Sequence, residues 1–239
     1  MSARRAEQAA DGDPRVAEVL RWLERRGTKR NRDGLARYGI VARDVCGVSV
    51  ADVKALGKRL GRDHELALAL WDTGWYEARM LTAFVDEPAR VTTRQMDRRA
   101  RDFDNWAICD GICFHLFDKT PHAWRKVEAW SARREEFVKR AAFALLAALA
   151  LHDKKAPDER FVAALPLIER AAGDERNFVK KGVSWALRGI GSRNAPLHAA
   201  ALELAERLGE SESAAARWIG RDTVRDLRRP LIRKRVAAK

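Results

Sequence analysis

Residues 177–194 read NFVKKGVSWALRGIGSRN. Val179, Val183, Ala186 and Ile190 recur at helical spacing and make one apolar face. Lys181, Trp185 and Arg188, at offsets of 0, 4 and 7, occupy another face, so the ring has a cation one turn to either side. Apolar helices of related pattern recur upstream: KRAAFALL from Lys139, WAICDGIC from Trp106 and ARMLTAFV from Ala78. Their spacing of roughly 30 to 40 residues is that of helix-pair solenoids such as HEAT repeats. The pattern predicts an all-α, HEAT-like helical-repeat solenoid with a concave basic face able to hold a long ligand.

The remaining punctuation agrees with helices. Asp13 followed by Pro14 predicts an N-cap and first turn ahead of Val16, Val19, Leu20 and Leu23. Ser49 opens a helix that runs to about Leu60 and stops at Gly61. Asp63 caps HELALALW, and Thr93 opens TRQMDRRARDF. No stretch alternates with period two between hairpin turns. One solenoid domain is expected over residues 13–229, between a flexible N-terminal segment (1–12) and a basic C-terminal tail (230–239).

The chain has 239 residues, 34% of them charged and 46% hydrophobic, too apolar for disorder. The longest apolar run, Ala141 to Leu151, is far shorter than the ~20 residues of a bilayer span. The formal charge is +13, concentrated at the ends: +6 over residues 1–60, −2 over 61–130, +2 over 131–173 and +7 over 174–239. Such a distribution suits a polyanion gripped from both ends, although basic surface residues also serve solubility alone. Cys46, Cys109 and Cys113 are odd in number and follow no apolar leader, so a reducing, cytoplasmic setting is expected. Cys109 and Cys113 lie near His115 and His122, but the spacing is not that of a zinc finger, and no metal is expected. No Walker loop, GxGxxG turn, HExxH or GxSxG occurs, and nothing suggests a cofactor or nucleotide.

Phe103, Trp106, Asp110, Phe114 and Phe117 have offsets of 0, 3, 7, 11 and 14 and read as one helical stripe. Asp110 is the only charged residue from Asn105 to Phe117. A carboxylate among aromatics is desolvated unless it is paired or used. It reads equally as an acid capping or pairing in the core and as a small electronegative site walled by indole. The face of Lys181, Trp185 and Arg188 reads as a phosphodiester groove, or as a half-buried indole shielded by basic stems. Arg140, beside Lys139 at the start of the most apolar helix, reads as a bidentate phosphate ligand or as a partner of Glu135, Glu136 or Asp110. The tail WIGRDTVRDLRRPLIRKRV reads as a phosphate-binding or solvated end.

NWAICD (105–110), FVKRAAF (137–143) and NFVKKGVSWALRGIGSRN (177–194) resemble the DNA alkylation repair proteins of the AlkD type. The lead-in RDGLARYGI (32–40) and GVSVADVKALGKRLGRDHELALALW (47–71) is similar, so the likeness covers roughly Arg26 to Leu227. The resemblance implies a HEAT-like solenoid holding duplex DNA and, in active members, a monofunctional glycosylase that releases N3- and N7-alkylated purines. It implies Asp110 as the catalytic carboxylate, Trp106 and Trp185 as aromatic walls around the deoxyribose, and Arg140 as a backbone-phosphate ligand. With these go Lys139, Lys180, Lys181, Arg188 and Arg193 as DNA contacts. Active members often read Trp-Asp-Leu-Val-Asp where this chain has Trp106-Ala-Ile-Cys-Asp110.

The expected partner is therefore duplex DNA with an alkylated nucleotide, not a membrane, for a cytoplasmic monomer that joins the nucleoid when bound. Two further readings stay open: a non-catalytic binder of damaged or branched DNA, and a protein–protein scaffold.

Overall fold

A computed structural model describes residues 13–238. Fourteen α-helices and one 3-10 turn, with no strand, are found among the described residues. Residues up to Arg98 with Asp102–Thr120 form one compact unit, and Arg99–Arg101 with Pro121–Lys239 form a second. The expected flexible segment 1–12 lies outside the described residues.

The first unit holds α1 (Pro14–Arg26), α2 (Lys29–Arg37), α3 (Val50–Leu60), α4 (His64–Asp72), α5 (Tyr76–Val85) and α7 (Trp106–His115). The helix α6 (Thr93–Arg101) runs across the boundary in sequence. The caps follow the side-chain chemistry read from the sequence. Asp13 accepts the Arg15 N–H at 2.9 Å, Ser49 accepts that of Asp52 at 3.1 Å, and Asp63 accepts that of Leu66 at 2.9 Å. Gly61 ends α3 at φ +76°, where a side chain would be strained. The helix α5 packs against α3, α4 and α7. At Gly57 of α3, a Cβ would come within 2.5 Å of the Phe84 Cβ, so α3 and α5 approach through that glycine.

The helix α2 has no counterpart in the periodicity reading. It buries no residue, so no apolar repeat betrays it. Its caps are local: the Thr28 hydroxyl accepts from the Asn31 N–H at 3.2 Å.

The second unit holds α8 (Ala123–Ser131), α9 (Glu136–His152), α10 (Asp158–Ala171), α11 (Asn177–Gly191), α12 (Ala195–Gly209), α13 (Ala214–Leu227) and α14 (Pro230–Ala237). Its centre is α9, buried continuously from Arg140 to Ala150 and flanked by α8 and α11. Small residues bring α9 and α11 together. A Cβ on Gly189 would sit 3.3 Å from the Ala150 Cβ, and one on Gly182 would sit 3.5 Å from Arg140. The next pair, α12 and α13, is closer still, because Gly220 lies against the backbone of Ala205 and Gly209. Beyond it, the cationic end is helical from Pro230 to Ala237. The related apolar helices are neighbours, α5 with α7 in the first unit and α9 with α11 in the second, as a repeat requires.

Candidate functional site

In the first unit, α7 begins where Asn105, in extended conformation, accepts the Ile108 N–H at 3.0 Å. The helix ends at His115, so the expected stripe of five is interrupted at both ends. Phe103 precedes the helix and Phe117 sits in the 3-10 turn that follows it. Both are buried, with ring centroids 6.5 Å apart. The offsets describe one face only while the backbone stays helical. Ile108, Cys109, Ile112 and Cys113 form the buried side of α7. Trp106, Asp110 and Phe114, one turn apart each, are left on its half-buried side.

Trp106 is fixed from outside its own helix: its indole N–H donates to the Tyr38 carbonyl at 2.8 Å. Tyr38 caps α2 and leads into a loop that Glu77 holds in place. The buried Glu77 carboxylate accepts backbone N–H groups of Cys46 at 2.9 Å, Gly47 at 2.6 Å and Val48 at 3.1 Å. Gly47 sits at φ +86°, and its carbonyl accepts from the Thr28 N–H at 3.0 Å. A buried anion thus ties the loop to the start of α5.

The cysteines are placed for packing. None of the three is in a disulfide, and all are buried. Burial above all, then Glu77, pushes the Cys46 thiol up to about 12. Burial, the hydrogen bond to Cys109 and the charges of Cys109, Asp110 and Asp118 hold Cys113 well above the ordinary thiol range. Among the described residues, no three His, Cys, Asp or Glu side chains gather as a metal site.

A feature missed in sequence lies on the same unit. An open groove of about 660 Å³ is lined by Lys54, Lys58, Arg62 and Lys119, over Phe84 and His115. The Phe84 and His115 rings are 4.9 Å apart, and no acid lines the groove. The signal was present in part as Lys54 and Lys58, one turn apart on α3.

In the second unit, Val179, Val183, Ala186 and Ile190 are fully buried, as the spacing of α11 predicts. Trp185 and Arg188 are half-buried and Lys181 is exposed. The Arg188 Nε lies 3.7 Å from Asp222, which also accepts the Ser184 hydroxyl at 2.7 Å. The Lys180 ammonium lies 5.0 Å from the centre of the Trp218 ring. Arg140 is buried, and one of its N–H groups donates to the Phe178 carbonyl at 2.6 Å.

Two of the residues expected on DNA bond within the protein itself. Lys139 meets Asp174 at 3.0 Å, and Asp174 also takes three hydrogen bonds from Arg176, two of them from the guanidinium. The Arg176 hydrogen bonds above all, then Lys139, hold the Asp174 carboxyl well below the ordinary carboxylate range. Arg193 donates to the carbonyls of Ala150, Asp153 and Ala156 and lies 4.0 Å over the Phe161 ring. Burial lowers its pKa, as befits a guanidinium turned inward.

Stacked helix pairs, with aromatic and cationic side chains on α7 and α11, define a HEAT-like helical-repeat protein. A solved structure described as "a new family of proteins related to the HEAT-like repeat DNA glycosylases with affinity for branched DNA structures" has this fold. It is 19% identical with a TM-score of 0.74, over 92% of this chain and 94% of that one. The chain belongs to the family described as DNA alkylation repair enzyme, whose pattern matches residues 19–227. Two designed armadillo repeat proteins are also similar at 15% identity. The one in complex with the peptide (KR)4 has a TM-score of 0.32, covering 98% of this chain and 85% of that one. The other has a TM-score of 0.34, covering 94% and 98%. No curated protein matches the chain. Among the described residues, no helix is long and apolar enough to cross a membrane.

Proposed function

We propose that the protein is a DNA glycosylase hydrolysing the N-glycosidic bond of cationic N3- or N7-alkylated purines in duplex DNA. The observation that carries this is Asp110, one turn beyond Trp106 on the half-buried side of α7, with the indole fixed by the Tyr38 carbonyl. Membership of the alkylation repair family supports it.

The chemistry matches one acid. An alkylated purine already carries positive charge and leaves without a general acid. What the transition state then requires is stabilisation of an oxocarbenium-like sugar and a water placed at its anomeric carbon. One carboxylate supplies both. Indole faces favour the developing cation, which is the role proposed for Trp106 and Trp185. Lys180, Lys181 and Arg188 on α11 contact the phosphate backbone, as does Arg140, whose guanidinium is oriented by the Phe178 carbonyl. Lys139 and Arg193 act one step removed, by holding the helices that carry these groups. Recognition by charge at the sugar dispenses with a base-reading pocket.

The test is release of 7-methylguanine or 3-methyladenine from methylated plasmid. The natural chain releases free base, Asp110→Asn releases none, and neutral hypoxanthine stays in place for both. Release from the Asn variant, or equal release of hypoxanthine, overturns the reading.

A second reading is favoured by the structural relative with affinity for branched DNA. In it the protein binds such DNA without turnover. Then no free base appears from any substrate, and Asp110→Asn binds as the natural chain does.

A further inference from the structure

Seven of the eight tryptophans are buried or half-buried, and Trp218 on α13 is the one left exposed, at 37%. A lone exposed ring is ordinary on a protein surface; what singles this one out is its charged surroundings. Lys180 of α11 reaches over the ring at 5.0 Å, Arg221 stands one turn further along α13, and Lys181 lies beside Lys180. Lys181 and Arg221 are exposed and, among the described residues, have no carboxylate partner. By contrast, Arg225 and Arg229 are paired with Asp222 and Asp226.

The face is continuous with the one proposed above to contact DNA. At ~100° per residue, Lys180 and Ser184 lie next to Arg188, then Lys181 and Trp185, around α11. Ser184 and Arg188 meet Asp222 of α13 at 2.7 and 3.7 Å, which locks α13 alongside. A strand following the α11 cations therefore meets Trp218 next.

We propose that Trp218, with Lys180, Lys181 and Arg221, is a stacking platform for unpaired nucleotides of a DNA strand. This rests on the DNA-binding reading of α11, but not on glycosylase turnover. An exposed indole flanked by unpaired cations is how proteins hold single strands: the cations take phosphates and the ring takes a base face. In paired duplex the bases are already stacked and offer the ring no face. The platform thus discriminates forks and flaps from continuous duplex.

The experiment compares the full-length chain with Trp218→Ala, Trp218→Phe and Arg221→Ala on two probes: a paired duplex and a fork with one oligo-dT arm. Trp218→Ala weakens fork binding about 10-fold or more while changing duplex binding less than twofold. Trp218→Phe restores most of the difference. Arg221→Ala lowers the salt dependence of fork binding by about one phosphate contact, and Trp218→Ala leaves it unchanged. Equal loss on both probes, or no loss on either, overturns the platform. Base release from methylated duplex, read in parallel for Trp218→Ala, stays at the natural level. Its absence from the natural chain itself sinks the glycosylase reading and leaves the platform standing.

Discussion

The indole of Trp106 donates to the Tyr38 carbonyl across 68 residues of sequence, at 2.8 Å. A residue of α7 is thereby oriented by the cap of α2, and the loop after Tyr38 depends on one buried acid. Glu77→Gln keeps the shape but turns an amide N–H toward a cluster of three backbone donors. We expect a loss of ~2–3 kcal/mol in denaturant unfolding. An unchanged midpoint would show that the loop does not depend on the carboxylate.

Lys54 and Lys58 stand in the open basic groove of the first unit. If DNA crosses this groove, replacing both with Ala lowers the slope of log affinity against log salt by about 2. Both side chains are exposed, so thermal stability stays within ~0.5 kcal/mol of the natural chain. A salt slope that does not move takes the groove out of the DNA path.

Asp174 is held below its ordinary value of 3.8 by Arg176 and Lys139. A depressed carboxylate contributes stability that is fully present above its unfolded pKa and is lost as pH falls toward the folded one. The melting temperature of the natural chain therefore drops as pH is lowered through and below the ordinary carboxylate range. Asp174→Asn is less stable near neutrality and shows a shallower drop. Parallel curves for the two proteins would refute the linkage.

Gly220 lies where a Cβ would come 2.3 Å from the Gly209 nitrogen and 2.4 Å from the Ala205 oxygen. Both neighbours are backbone and cannot rotate away. Gly220→Ala should force α12 and α13 apart at ~2–3 kcal/mol or more, read by calorimetry. Gly34→Ala, with nothing within 4 Å, is the control and should be neutral or slightly stabilising.

Cys46, Cys109 and Cys113 are buried, and the first and last are pushed upward in pKa. In the native protein at mildly alkaline pH they should resist a thiol reagent, and all three should react in denaturant. Rapid labelling of the native chain would contradict their packing.

The helices with an apolar face were legible, because burial imposes a period that the sequence must carry. The buried side of α11 follows Val179, Val183, Ala186 and Ile190 residue for residue. The helix α2 was not legible, since it buries nothing. The stripe through Phe103 and Phe117 misled because spacing says nothing of where the backbone leaves the helix. Charge type was legible and charge use was not. Lys139 and Lys181 look alike in sequence, yet one is committed to Asp174, 35 residues away, and the other reaches solvent. Only the folded chain brings Asp174 to the first of them.

The unbroken burial of α9 from Arg140 to Ala150 bears on how the second unit comes apart. Its amide protons can reach water only when α8 or α11 is displaced, whereas α14 packs only lightly on α12 and α13. Deuterium should therefore enter the lightly packed α14 early and reach the middle of α9 last, at the rate of global opening. Damage to α9 would be felt by the whole unit, while damage to α14 would stay local.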